Sequence, residues 1–207
     1  MPSHRDAPSG HVPRERSGAR GVADIVFLDF EASSLGKHGY PIEVAWVFAS
    51  GAEESHLIRP APAWTDWAAE AEAIHKITRE RLAAEGTPHD RVAHRMVEAL
   101  SGHNLYATAP SWDGQWLSKL LRAAGLPRHA LRLQDTDVAH REAIVAALEA
   151  AQVPAHRHDA IATEILAGVR RRDEENGPPA HRALDDAKHE MELLREVRRR
   201  AEEAART

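Results

Sequence analysis

No cysteine occurs among the 207 residues, which excludes disulfide bridges and thiolate chemistry. No apolar run approaches the roughly 18 residues that a membrane span requires. The N-terminal stretch MPSHRDAPSGHVPRERSGAR has no apolar core of the kind that marks a secretory leader. An excess of positive charge is missing as well: 27 Lys and Arg stand against 32 Asp and Glu, a formal net charge of −5. That excludes a protein that coats duplex nucleic acid through bulk charge, but not an enzyme that holds one end of a strand. No internal repeat is present. These absences predict a soluble, cytoplasmic protein with no membrane partner. A composition of 43% hydrophobic and 29% charged residues suits a globular domain with a real core.

Residues 1–20 are polar and rich in Pro, Gly, Ser and Arg, which predicts a flexible tail ahead of one domain over 21–207. The pattern then predicts strands at about 24–30, 42–49 and 54–60, the last two joined by a short turn at Gly51-Ala52 into a hairpin. APAWTDW reads as a loop, followed by helices at about 68–75, 78–84 and 89–101. A short strand at 104–108 stops before Pro110. A helix over 112–125 ends at Gly125, and a fifth strand is expected at 130–135. Helices at about 137–151 and 159–173 lead to a break at ENGPP, 175–179, and a last helix spans about 181–205. Strands first, then alternation with helices, predict an α/β fold: a central mixed sheet flanked by helices.

The informative stretch is IVFLDFEASSL, 25–35. Residues 25–28 are all apolar, as in a strand buried on both faces. Side chains alternate along a strand, so Asp29 and Glu31 at its far end point the same way. Two neighbouring carboxylates at the edge of a core repel and lose hydration, which is tolerable when a cation lies between them. Projecting the helices at 100° per residue adds two more acids. Asp113 falls on the face defined by Trp116, Leu117, Leu120 and Ala124; helix capping by Ser111 or Asp113 is the alternative. In HRALDDA, 181–187, Asp186 lies at the edge of the stripe Leu184, Ala187, Met191, Leu194 and Val197, whereas Asp185 faces water. Glu190 also projects into that stripe; its stem could snorkel. His181 stands at the start of the helix. Four acids aimed inward from three separate elements are the hard oxygen ligands that Mg²⁺ or Mn²⁺ prefers.

In this order the motifs resemble the DEDDh 3′→5′ exonucleases, the group that includes DnaQ-type proofreading subunits and ribonuclease T. The resemblance covers about 24–190. It rests on FLDFEASSL, on AIHKIT at 73–78, on the helix-borne Asp113 and on His181-x4-Asp186. Where many members carry a His-Asn pair before the third acid, this chain has YATAPSWD, and the WTDW loop at 64–67 has no counterpart in the family's general pattern.

The resemblance implies a ribonuclease H-like fold and two-metal phosphodiester hydrolysis, with two Mg²⁺ or Mn²⁺ ions about 3.5–4 Å apart. It implies Asp29, Glu31, Asp113 and Asp186 as metal ligands and His181 as the general base for the attacking water. By the same resemblance Ser33 and Leu35 line the terminal nucleotide. His75 is a further substrate contact or a packed helix histidine. Trp64 or Trp67 stacks on a base or belongs to the core. Arg170–Arg172 and Arg198–Arg200 track phosphates or form solvated faces balanced by Glu. The implied substrate is the 3′ end of single-stranded DNA or RNA, released as nucleoside 5′-monophosphates, and a homodimer is the family's assembly. Two alternatives are a phosphodiesterase for very short oligonucleotides and a catalytically silent nucleic-acid-binding module.

Overall fold

The structure is a computed structural model and describes residues 24–177 and 180–206. The expected tail at 1–20 and the two prolines of the ENGPP break lie outside the described residues. Six strands form one mixed sheet in the order β4-β3-β2-β1-β5-β6, and helices cover both of its faces.

β1 (Ile25–Ala32) is the continuous apolar run of the sequence, and it sits at the centre because only a central strand can bury residues on both faces. β2 (Pro41–Phe48) and β3 (Glu53–Arg59) pair antiparallel as the expected hairpin, with Gly51 at φ +94° making the turn. β5 (Asn104–Ala107) joins β1 in parallel. β6 (Leu133–Asp135) is shorter than the expected 130–135, and β4 (Thr87–Pro88), a two-residue edge strand, carried no pattern long enough to read.

On one face, α3 (His89–Leu100) and α4 (Pro110–Ala123) pack over Val26, Leu28, Phe30, Val44 and Trp46. Pro110, expected only to stop β5, also opens α4 from its first turn, where its missing N–H costs nothing. On the other face, α5 (Thr136–Ala150) and α7 (Ala183–Ala204) cover Phe27, Val47 and Tyr106. α6 (His158–Asn176) packs outside them around Leu148, Leu166 and Val197. Two short helices, α1 (Ala69–His75) and α2 (Arg79–Glu85), close the β2–β3 side over Tyr40, Ile42, Ile77 and Leu82. Among the described residues no helix is long and apolar enough to cross a membrane.

The alternation of β1 sends its two sets of side chains into different layers. Even-numbered side chains enter the α3–α4 core and Phe27 enters the α5–α7 core. Asp29 and Glu31 therefore face α7, the helix that carries Asp186.

Candidate functional site

One ligand oxygen from each of Asp29, Glu31 and Asp186 lies within 4.8 Å of the others. They line a cleft of about 730 Å³ at the C-terminal end of β1, together with Thr108, His181, Asp185 and Glu190. Asp113 reaches the same place from the α4 side. It is not one of the three mutually close groups, but it is the foremost charged neighbour of Asp29. Burial pushes the Asp29 carboxyl well above the usual carboxylate range, and the charges of Asp113, Glu31 and Asp186 push it further. Burial, then Asp186 and Glu43, raises Glu31 to about 7 against the pull of Arg182. Burial raises Asp113 to about 7, and backbone N–H groups hold it from rising more. Burial also raises Asp186. Burial and mutual repulsion thus disfavour ionisation of all four acids, an arrangement that a positive charge among them would relieve.

Each acid is held differently. The N-cap of α4, Ala109, offers no side-chain cap; backbone N–H groups at Ala109, Phe30 and Asp113 act on the Asp113 carboxyl, while its Oδ2 is buried without a hydrogen-bond partner. Asp186 is fixed by its own backbone surroundings. Its Oδ1 accepts from the Ala180 N–H at 3.1 Å and its Oδ2 from the Arg182 N–H at 3.2 Å. His181 between those donors is in the left-handed region, φ +53°, which turns the chain so that both amides reach one carboxylate. This corrects the expected helix start at 181: α7 begins at Ala183, and His181 precedes it on a strained turn beside Asp186.

Glu43 escaped sequence reasoning. It sits mid-strand in β2, paired directly across from Glu31, and only 1% of it is exposed. Its carboxylate accepts from Arg182 Nε at 3.0 Å and Nη2 at 2.6 Å, and from the Ala183 N–H at 3.2 Å. It thereby satisfies an open donor in the first turn of α7 and pins the segment that carries His181 and Asp186. An acid inside the apolar run PIEVAWVF was the available signal. Glu43→Ala is expected to lower stability by about 1.5–3 kcal/mol, the range for hydrogen bonds to a charged group. A thermal melt at saturating Mn²⁺, which masks the relief of repulsion toward Glu31, reads this as a melting point several degrees lower. A variant that melts with the parent would show that Glu43 does not hold the helix start.

Glu190 is a second surprise. Its stem does not snorkel: Oε2 is buried without a partner in the cleft one turn beyond Asp186, and burial raises its pKa. The four groups expected at the nucleotide fall in different settings. Leu35 is 70% exposed on the loop after β1. Ser33 is fully buried, its Oγ accepting from the Tyr40 N–H at 3.1 Å, so it braces that loop and presents no surface. His75 is 2% exposed and packed; its Nδ1 accepts from the Ile77 N–H, and Nε2 is left without a partner. Trp67 donates its indole N–H to Glu72 at 2.7 Å and sets its ring edge against His75. Trp64 stacks on Tyr40 with centroids 5.4 Å apart. Both indoles are thus engaged within the protein, in line with the core alternative. Trp112, passed over in the sequence, is 40% exposed immediately before Asp113 and stacks on Trp116. Within the arginine clusters Arg170 pairs with Asp137, and Arg172, Arg199 and Arg200 pair with Glu196, as in the second of the two alternatives.

All donors at the cluster are carboxylate oxygens, and one of the acids keeps an unpartnered oxygen; this set fits a hard divalent cation such as Mg²⁺ or Mn²⁺.

No protein-family model matches the chain, and no curated protein matches it in sequence. Solved structures do match in fold. A moderately thermophilic exonuclease I from Methylocaldum szegediense is 16% identical with a TM-score of 0.60, over 86% of this chain and 41% of its own. E. coli exonuclease I in complex with a dT13 oligonucleotide is 16% identical with a TM-score of 0.50, over 57% of this chain and 29% of its own. The zinc-bound form of the E. coli enzyme with single-stranded DNA gives the same values. The chain therefore spans less than half the length of these exonucleases. At this identity the likeness establishes the fold: α/β, of the ribonuclease H-like exonuclease type.

Proposed function

We propose that residues 21–207 form a metal-dependent 3′→5′ exonuclease that trims single-stranded DNA or RNA to nucleoside 5′-monophosphates. The observation that carries this reading is the convergence of Asp29, Glu31 and Asp186 within 4.8 Å at the end of the central strand, with Asp113 beside Asp29.

Asp29, Glu31, Asp113 and Asp186 would hold two Mg²⁺ or Mn²⁺ ions. These supply activation of a water and stabilisation of the leaving 3′ oxygen when bound. The chain's own residues do the rest. His181, at the cleft beside Asp186, takes the proton from the attacking water, a task suited to an imidazole near neutral pH. Arg182, clamped by Glu43, fixes His181 from the following position. Leu35, four residues after Glu31, and Trp112, the residue before Asp113, expose apolar surface, against which a terminal base could pack. The fold shared with exonuclease I, solved with single-stranded DNA, supports the same substrate class here.

The test is a digest of single-stranded RNA and DNA, free or blocked at the 3′ end, with Mg²⁺, Mn²⁺ or EDTA. Mononucleotides should appear only from free 3′ ends and only with metal. Cleavage that survives EDTA, or internal cuts in 3′-blocked strands, would refute the reading.

A further inference from the structure

A second cleft, of about 420 Å³, opens beside the C-terminal end of β3 and is lined by Tyr40, Arg59, Pro60, Trp64, Thr65, Arg79 and Ala83. Its chemistry is the reverse of the acidic site: two guanidinium groups, two aromatic rings and no carboxylate. Arg59 and Arg79 are exposed, and among the described residues neither forms an ion pair, unlike Arg95, Arg170 and Arg199 on the helices. Arg79 is held over the Trp67 ring at 5.2 Å and donates to the Thr65 carbonyl. Lys119 adds a third cation on the neighbouring side, 5.9 Å over the Trp64 ring and bonded to the carbonyls of His38 and Gly39. Asp66, whose charge reaches Tyr40 and Lys119, accepts from the hydroxyl of Ser34.

The cleft is placed along a route from the acids. β1 and β3 run in the same direction with β2 between them, and Glu31, Glu43 and Leu57 lie in one row across the three strands. Arg59 follows Leu57 by two residues at the same end of the sheet. Strands lie about 4.8 Å apart, so the cleft is about 10 Å sideways from Glu31. The loop 33–40 links the two places: it leaves β1 at the acids, Ser33 bonds Tyr40, and Tyr40 lines the cleft.

We propose that this cleft binds a phosphodiester of the same strand, on the 5′ side of the nucleotide being removed. The planar forks of Arg59 and Arg79 grip the phosphate, and the Tyr40–Trp64 wall packs against the adjoining sugar or base. The inference rests on the exonuclease reading and adds to it a preference for substrates long enough to reach from the acids to the arginines. It also explains how a protein of net negative charge holds a polyanion: the attraction is local.

The experiment measures binding of the full chain, with Mn²⁺, to a long single strand carrying a hydrolysis-resistant 3′ linkage, across a series of salt concentrations. Turnover of a dinucleotide is measured in parallel. For single strands each phosphate contact contributes about 0.7 to the slope of log K against log salt. Arg59→Gln with Arg79→Gln should shallow the slope by about 0.7, the share of one phosphate, and weaken long-strand binding on the order of tenfold, with dinucleotide kcat/KM unchanged. Arg59→Gln alone, at an exposed side chain, should remove about half the slope change, which guards against misfolding of the double variant. An unchanged slope, or an equal loss on the dinucleotide, would overturn the proposal. A parent protein that neither binds nor cleaves any single strand would instead refute the exonuclease reading itself.

Discussion

Asp186→Asn is expected to abolish phosphodiester cleavage, and Asp185→Asn to leave it within about threefold of the parent, the scale of a surface change worth under 1 kcal/mol. The two residues are adjacent in sequence and both border the cleft, yet α7 turns them apart. Asp186 places a carboxylate oxygen within 4.8 Å of Asp29 and Glu31; Asp185 is exposed and outside that group. An Asn side chain still accepts one of the backbone bonds that Asp186 receives from Ala180 and Arg182, so the turn should persist. What the amide would lose is the charge that holds a cation in the proposed reading. Charge stabilisation by a metal is worth several kcal/mol in the transition state, so the loss should be about 10³-fold or more. Single-turnover digestion of a labelled strand reads both variants. Comparable losses in the two would show that Asp186 is not the ligand.

The second large effect is on stability, and its sign comes from the raised carboxyls. In the unfolded chain Asp and Glu titrate near 4. In the folded protein Glu31 and Asp113 titrate at about 7, with Asp29 and Asp186 also raised. Between those values the folded state binds more protons than the unfolded state, so stability falls as pH rises through the window. Below about pH 4 both states are protonated and the effect vanishes. Without metal the melting temperature should therefore drop between about pH 4 and 7. A cation binds the ionised carboxylates of the folded state only, and at 100 times its Kd it adds about 2.7 kcal/mol. Saturating Mn²⁺ should cancel much of the drop. Asp29→Asn with Glu31→Gln should flatten the metal-free profile and gain little from Mn²⁺. This pair leaves Asp186 in place because its carboxylate also holds the turn before α7. If the double variant gains as much from Mn²⁺ as the parent, the ions bind elsewhere.

The features of this fold that follow from local periodicity are legible in its residues alone. Four apolar residues in a row made β1 central, and the two-residue period put Asp29 and Glu31 on one side of it. The 3.6-residue period separated Asp186 from Asp185 and turned Asp113 inward, because a helix repeats its faces whatever it packs against. The hairpin, five of the six strands and the order of the helices come from the same rules. Features that depend on partners distant in the chain emerge only once the elements are packed together. Glu43 reads as one acid in an apolar strand until Arg182, 139 residues later, arrives beside it. Glu190 looks like a snorkelling side chain until the ends of β5 and α5 bury it. Ser33, His75 and Trp67 have side chains fit for a ligand, but their hydrogen-bonding groups are taken up by Tyr40, Ile77 and Glu72. The start of α7 moved past His181 because Asp186 reaches back to amides on either side of it. Burial and pairing are properties of three-dimensional neighbours, and periodicity can say which way a side chain points but not what it meets there.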